Sequence, residues 1–269
     1  HALILEDDVA FPPDFTAILR AAMAEADAVV NCVNILSPKG KSTFSSVFEA
    51  GAENIARLSA EMGVARMVHV SGIGVDADSD SAYVAGKARG EAAVLKHRPD
   101  AVILRPSLVF GAGDGFLNRF AAMATISPVL PLIGGGETKF QPVYVGDVAE
   151  AIARAVFQGA AAGRTFELGG PAVWTFREVL DLVRREAGRD RLLAPVPFFV
   201  ARPLGAALEM LGLFGLTPPL TRDQVLMLQV DNVVSPDAAT LADLGVVHPT
   251  GMEAIAPTYL WRYRTGGQF

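Results

Sequence analysis

Residues 66–71 read Arg-Met-Val-His-Val-Ser, and this stretch decides the fold once its flanks are read with it. It is a short apolar run of the kind that forms a buried strand. A long helical pattern from about Thr43 to Met62 precedes it. After it come a loop with Asp76, Asp78 and Asp80, a helical pattern from about Ser81 to Lys96, and the strand Ala101-Val-Ile-Leu-Arg105. Farther upstream, Ala28-Val-Val-Asn-Cys-Val33 reads as a buried strand, a helix follows Pro12-Pro13-Asp14, and Ala2-Leu-Ile-Leu-Glu6 reads as a strand. Short apolar runs alternating with helical patterns predict βαβ units and a parallel sheet buried on both faces. The expected fold class is therefore α/β, a doubly wound, Rossmann-like parallel sheet with a smaller, mainly helical C-terminal lobe.

The rhythm changes after Pro106, where glycine-rich loops at Gly111–Gly115 and Gly134–Gly136 interrupt a less regular pattern. Two later elements read as returning to the sheet: Phe140-Gln-Pro-Val-Tyr-Val145, leading into a helix from Asp147, and Arg164-Thr-Phe-Glu-Leu168. From about Pro171 the pattern is mainly helical, so the domains are expected at 1–170 and 171–269. Phe198–Leu216 is apolar but is interrupted by Arg202, Pro203 and Glu209, and it falls short of a membrane span. It reads as a core-packing helix in preference to an amphipathic surface helix.

Length and composition limit what this fold can do. A chain of 269 residues with 51% hydrophobic and 19% charged residues can bury a large core, which excludes intrinsic disorder. The net charge of −6, without a basic run, lacks the electrostatic footprint of a nucleic-acid partner. The single cysteine, Cys32, cannot form an intrachain disulfide, and no Cys/His cluster has metal-ligand spacing. A metal-free protein of a reducing, cytoplasmic compartment is expected.

Tyr83-Val-Ala-Gly-Lys87 places a phenol and an ammonium on one face of the expected helix. A neighbouring ammonium favours the phenolate, drawing a tyrosine pKa down from roughly 10 toward the range of proton transfer, and can also hydrogen-bond a ribose hydroxyl. Tyrosine and lysine at this spacing also occur by chance on surface helices. Ser71 adds weight to the pair, because it ends a core strand where ligand sites gather in doubly wound sheets. Its hydroxyl there could orient a substrate carbonyl, or simply begin the turn into Gly72.

A strand-ending serine, then Tyr-x-x-x-Lys on a helix, then Arg105-Pro106-Ser107 with Gly111 beyond the next strand, resembles the short-chain dehydrogenase/reductase superfamily in its extended and atypical branches, the NAD-dependent epimerase/dehydratase type. Ala26-Asp-Ala-Val-Val-Asn31, Gly51-Ala-Glu-Asn54 and Gln141-Pro-Val-Tyr-Val-Gly-Asp147 fit the same pattern. Narrower likenesses are His69-Val-Ser-Gly72, Lys87-Ala-Arg-Gly-Glu91, Phe110-Gly111 with Asn118-Arg-Phe120, and Thr221–Leu228 with Asp231-Asn-Val233. Together these are similar to the nucleotide-binding accessory subunits of respiratory complex I and their bacterial relatives.

The resemblance implies a nicotinamide dinucleotide, NADP or NAD, in a cleft lined by strand carboxyl ends. Its contacts are expected at Asn31, Cys32, Val33, Ser71, Lys87, Pro106 and Leu108, with Asp8 toward the adenine. In an enzyme, Tyr83 would be the general acid/base, Lys87 would lower its pKa and hold the nicotinamide ribose, and Ser71 would polarise the reacting group. A quinone-like, lipid-like or sugar-nucleotide substrate would suit such an oxidoreductase or epimerase. In an accessory protein the same residues would hold the nucleotide without turnover, beside respiratory complex I or another partner peripheral to the inner membrane.

The glycine-rich turn that brings backbone N–H groups to a pyrophosphate is nowhere in residues 1–60. More chain is therefore expected upstream, including the residue that separates NAD from NADP. Gly111-Ala-Gly-Asp-Gly115 is not that turn, because Phe116 stands where the third glycine belongs.

Overall fold

The computed structural model describes residues 2–5, 15–211 and 218–266. In chain order the elements are β1 (Ala2–Leu5), α1 (Phe15–Met23), β2 (Ala28–Asn31), α2 (Ala52–Glu61), β3 (Arg66–Val70), α3 (Ala82–His97), β4 (Val102–Pro106), β5 (Val109–Phe110), α4 (Leu117–Ile126) and β6 (Val129–Ile133). They continue with β7 (Lys139–Phe140), β8 (Val143–Tyr144), α5 (Val145–Phe157), β9 (Thr165–Leu168), β10 (Trp174–Thr175), α6 (Phe176–Glu186), β11 (Leu192–Val196), α7 (Phe198–Glu209), α8 (Arg222–Met227) and α9 (Met252–Leu260). Two compact units emerge. The first takes His1–Pro106, Glu150–Glu167 and Asp237–Gly245, and the second takes the segments between and after these. The chain thus changes unit at 106/107 and returns twice, whereas its sequence reads as a single boundary near residue 170.

The first unit is built on a five-stranded sheet of order β1-β2-β3-β4-β9, with β1 to β4 mutually parallel. All four residues of β2 are buried, as are Met67, Val68 and His69 of β3 and Val102–Leu104 of β4. Burial of consecutive residues means that both faces are covered, which is why these strands read as mainly apolar runs instead of alternating ones. Leu19 and Met23 of α1 and Ile55, Ala56 and Leu58 of α2 pack with Val29, Met67 and Ile103 into one core. The sheet and these helices form a Rossmann-like α/β fold.

Local chemistry sets the helix ends. Ser81 caps α3, its side chain accepting from the Val84 N–H at 3.2 Å, while Lys96 and His97 close the helix where cations oppose its dipole. The pattern from Thr43 to Met62 is not one α-helix: residues 45–51 wind as a π-helical turn before α2 begins. Arg98, directly after α3, ties the helix to α2 and the turn that follows it by donating to Ser59 Oγ at 3.1 Å and to the Val64 carbonyl at 3.0 Å. Arg105 of β4 forms a two-pronged ion pair with Glu91 of α3, at 2.9 and 2.6 Å.

In the second unit α4, α6 and α9 surround Phe110, Leu117, Val179 and Leu260. Reciprocal capping boxes start α6 (Thr175 with Glu178) and α8 (Thr221 with Gln224). The expectation for Phe140–Val145 needs correction, because only β9 joins the main sheet. Pro142 offers no N–H to a ladder and splits the segment. As a result β7 pairs antiparallel with β10, while β8 pairs parallel with β5. The C-terminal part is also less purely helical than it reads, since β11 pairs parallel with β6 along Leu192–Val196. Nor is α7 a core helix: it buries Ala201 and Gly205 but leaves Phe199 78% exposed, with Val200 and Leu204 also open.

Candidate functional site

Of the residues singled out from the sequence, Asn31, Cys32, Val33 and Ser71 lie at the carboxyl ends of β2 and β3, and Tyr83 and Lys87 lie along α3. Ser71 follows β3 directly and is 4% exposed; its N–H donates to the Leu104 carbonyl of β4 at 2.7 Å. Its Oγ is buried and has no hydrogen-bond partner among the described residues. Lys87 of α3 is also buried, with Nζ 3.5 Å from the Ser71 carbonyl. One turn earlier on the same helix, the Tyr83 hydroxyl donates to Asn34 Oδ1 at 3.2 Å. A buried ammonium is expensive to desolvate, and a buried hydroxyl left without a partner costs roughly 1–3 kcal/mol. The Ser71 hydroxyl therefore keeps polar capacity that a ligand with hydroxyl or carbonyl oxygens would satisfy.

Asn31, at the end of β2, is held from two sides. Its Oδ1 accepts from the Val33 N–H at 3.1 Å, which turns its Nδ2 toward His69 Nδ1, 3.0 Å away. His69 Nδ1 must accept that bond, so the remaining ring proton sits on Nε2. Burial, aided by the nearby Lys87 charge, pushes the His69 pKa down to about 3, and the imidazole stays neutral. Asn31 and His69 thus lock the ends of β2 and β3 together. Cys32 donates its N–H to the Leu5 carbonyl at 2.9 Å, and the Pro106 carbonyl accepts from Ile73 N at 3.1 Å, which pins the loop after β3 to the end of β4.

Val33 joins the site through an apolar cluster, packing with Ile35 and Tyr83 against Phe44, Val47 and Phe48. Leu108 belongs to the second unit, where it packs against the clusters around Phe110 and Phe140. Asp8 lies outside the described residues. The structure also explains why the glycine-rich loop at 111–115 is not a phosphate site. Asp114 Oδ1 already accepts from the N–H groups of Phe116, Leu117 and Asn118 at 2.9, 2.6 and 3.2 Å, filling the N-terminus of α4 with a carboxylate. Tyr259 donates to the other oxygen of Asp114 at 2.6 Å, and burial, then that carboxylate, raises the pKa of its phenol.

Asn34, Phe44 and Phe48 were not singled out from the sequence. Phe44 and Phe48 stack at 5.5 Å, and both meet the Tyr83 ring edge-on, at 5.8 and 5.3 Å. Their spacing of four on a helical pattern was the one available signal; for Asn34 there was none. Among the described residues no group of His, Cys, Asp or Glu could hold a metal ion, and no helix is long and apolar enough to cross a membrane.

Comparison with known proteins adds three findings. Residues 14–169 match the NAD dependent epimerase/dehydratase family. The chain is 34% identical over 264 residues to NADH dehydrogenase (ubiquinone) 1 alpha subcomplex subunit 9, mitochondrial, of Arabidopsis thaliana, covering 96% of this chain and 65% of that protein. It is 30% identical to the NADH-ubiquinone oxidoreductase 40 kDa subunit, mitochondrial, of Neurospora crassa, covering 94% and 66%. The chain spans just under two thirds of the length of these relatives. DesIV, a dTDP-glucose 4,6-dehydratase from Streptomyces venezuelae solved with NAD and TYD bound, shares the fold with a TM-score of 0.67 at 18% identity, covering 96% of this chain and 85% of that one.

Proposed function

The chain belongs to the NAD dependent epimerase/dehydratase family, and from that premise we propose that it holds a nicotinamide dinucleotide, NAD or NADP, as an accessory protein of a respiratory NADH dehydrogenase. The observation that carries the nucleotide reading is the buried pair at the end of β3: the Ser71 hydroxyl without a partner among the described residues, and the Lys87 ammonium beside the Ser71 carbonyl. Lys87 would hold ribose hydroxyls, and Ser71 would meet a carbonyl or amide oxygen. When bound, the nicotinamide can accept or donate a hydride. The accessory reading is supported by the reach of the likeness, which covers 96% of this chain and so extends well past the nucleotide-binding strands. The apolar side chains open on α7 suit a partner at the cytoplasmic surface of an inner membrane.

Ser71 favours a second reading. A buried hydroxyl without a partner, close to a Tyr-x-x-x-Lys pair, is also the arrangement of an oxidoreductase or epimerase in which Tyr83 moves the proton. One experiment separates the two. The full-length protein is titrated with NADH and NADPH by fluorescence, the retained nucleotide is identified by mass spectrometry, and turnover is assayed in parallel. Binding that Lys87→Ala weakens and Tyr83→Phe spares, without turnover, is the expected result. NAD(P)-dependent turnover that Tyr83→Phe lowers by roughly 100-fold or more would establish the enzyme instead. No binding of either nucleotide would refute both.

A further inference from the structure

We propose that Phe48 is the positioning residue of this site: its ring face seats the Lys87 ammonium and its edge contacts fix Tyr83, so that α3 presents both groups together. The proposal rests on the nucleotide reading above and says how the chain meets that ligand. Phe48 lies on the π-helical turn of residues 45–51 and is 3% exposed. Lys87 Nζ stands 4.9 Å from its ring centroid, and the Tyr83 ring meets it at 90° with centroids 5.3 Å apart. An ammonium within about 6 Å of a ring face is attracted by the quadrupole.

The helix is shaped around this contact. Tyr83, Gly86, Lys87 and Gly90 stand at i, i+3, i+4 and i+7 and so form one stripe along α3. A Cβ at position 90 would lie 2.3 Å from the Phe48 carbonyl oxygen, and one at position 86 would lie 3.2 Å from Cδ2 of its ring. Each glycine inside a helix is less favourable than alanine by about 1 kcal/mol. Two of them on this stripe allow α3 to come close enough for Lys87 to reach the ring.

A ring face is a chemically distinct partner for a buried ammonium. A carboxylate would neutralise the charge and take up its N–H donors. A ring attracts the charge and takes up no donor, so seating the ammonium on Phe48 competes neither with its donation to the Ser71 carbonyl nor with donation to ligand oxygens such as the hydroxyls of a ribose.

The full-length protein is titrated with NADH and with NADPH in three forms besides wild type: Phe48→Leu, Phe48→Tyr, and a protein with 3,4,5-trifluorophenylalanine at position 48, which keeps the shape but loses the negative face. Without the ring, the Lys87 side chain is held less firmly and binding must immobilise it further, which weakens affinity by about 2- to 10-fold. That loss is expected in Phe48→Leu and in the fluorinated protein, with Phe48→Tyr close to wild type. A second readout does not involve nucleotide. The chain has five lysines, and the Lys87 ε-methylene signal, assigned with Lys87→Arg in lysine-labelled protein, should be shifted upfield by the rings and move downfield in Phe48→Leu. Wild-type affinity in a folded Phe48→Leu protein overturns the proposal; should that variant not fold, wild-type affinity in the fluorinated protein does so. If wild type binds neither nucleotide, the functional reading fails on its own account. Phe48 is then judged by the lysine signal, and its persistence in Phe48→Leu overturns the seat.

Discussion

Acid should destabilise this protein through one histidine, and the loss can be worked out from the structure. His69 is buried among β2, β3 and α3, with a folded pKa of about 3 against 6.5 for the free side chain. The unfolded chain takes up a proton that the folded chain refuses. Stability from this group is therefore fully present above pH 6.5 and is lost as pH falls from 6.5 toward 3. Linkage puts the loss between pH 8 and pH 5 at about 2 kcal/mol, rising to nearly 5 kcal/mol below pH 3. For a chain of this length, 2 kcal/mol lowers the Tm by about 4–8 °C.

The test compares urea denaturation of wild type and His69→Gln at pH 8 and pH 5. Glutamine can still accept from Asn31 but cannot titrate. Whatever the other histidines and the carboxylates contribute is common to both proteins, so the difference between the two pH slopes isolates His69. Wild type should lose about 2 kcal/mol more than the variant over this interval. Lys87→Met should shrink that gap, because the lysine charge is the second cause holding the imidazole neutral. Parallel pH slopes for wild type and His69→Gln would refute the burial argument.

Three further outcomes follow from the packing of α3 and its surroundings. Gly90→Ala should destabilise by about 1–3 kcal/mol despite alanine's better helix propensity, because its methyl group collides with the Phe48 carbonyl; a denaturation midpoint equal to wild type would show that the helix can shift aside. Glu91→Leu leaves the half-buried Arg105 with Glu167, 3.9 Å away, as its ion-pair partner among the described residues, and should cost about 2–3 kcal/mol in urea titration, less than breaking a fully buried pair. Ser71→Ala should be neutral or slightly stabilising without nucleotide, because it removes a buried hydroxyl that lacks a partner among the described residues, and should weaken binding of NADH or NADPH; tighter binding would mean that the hydroxyl does not face the ligand.

What could be read in advance depended on whether its cause lies within one segment. The strands Ala28–Asn31, Arg66–Val70 and Val102–Pro106 were legible because a strand covered on both faces must be apolar throughout, and Ser81 announced α3 because a cap acts over three residues. Tyr83 and Lys87 were legible as a pair for the same reason. The two-residue strands β5, β7, β8 and β10 are too short to carry a period, and their partners were chosen by packing in the second unit. The pairing of Asn31 with His69 was not legible, because nothing local shows that a residue across the sheet takes its amide. Phe48 is the clearest case. The glycines at 86 and 90, on the same stripe as Tyr83 and Lys87, leave room for a close approach to α3. Only the folded chain shows that it is the carbonyl and ring of Phe48, because that approach joins segments some forty residues apart and neither segment alone identifies the other as its partner.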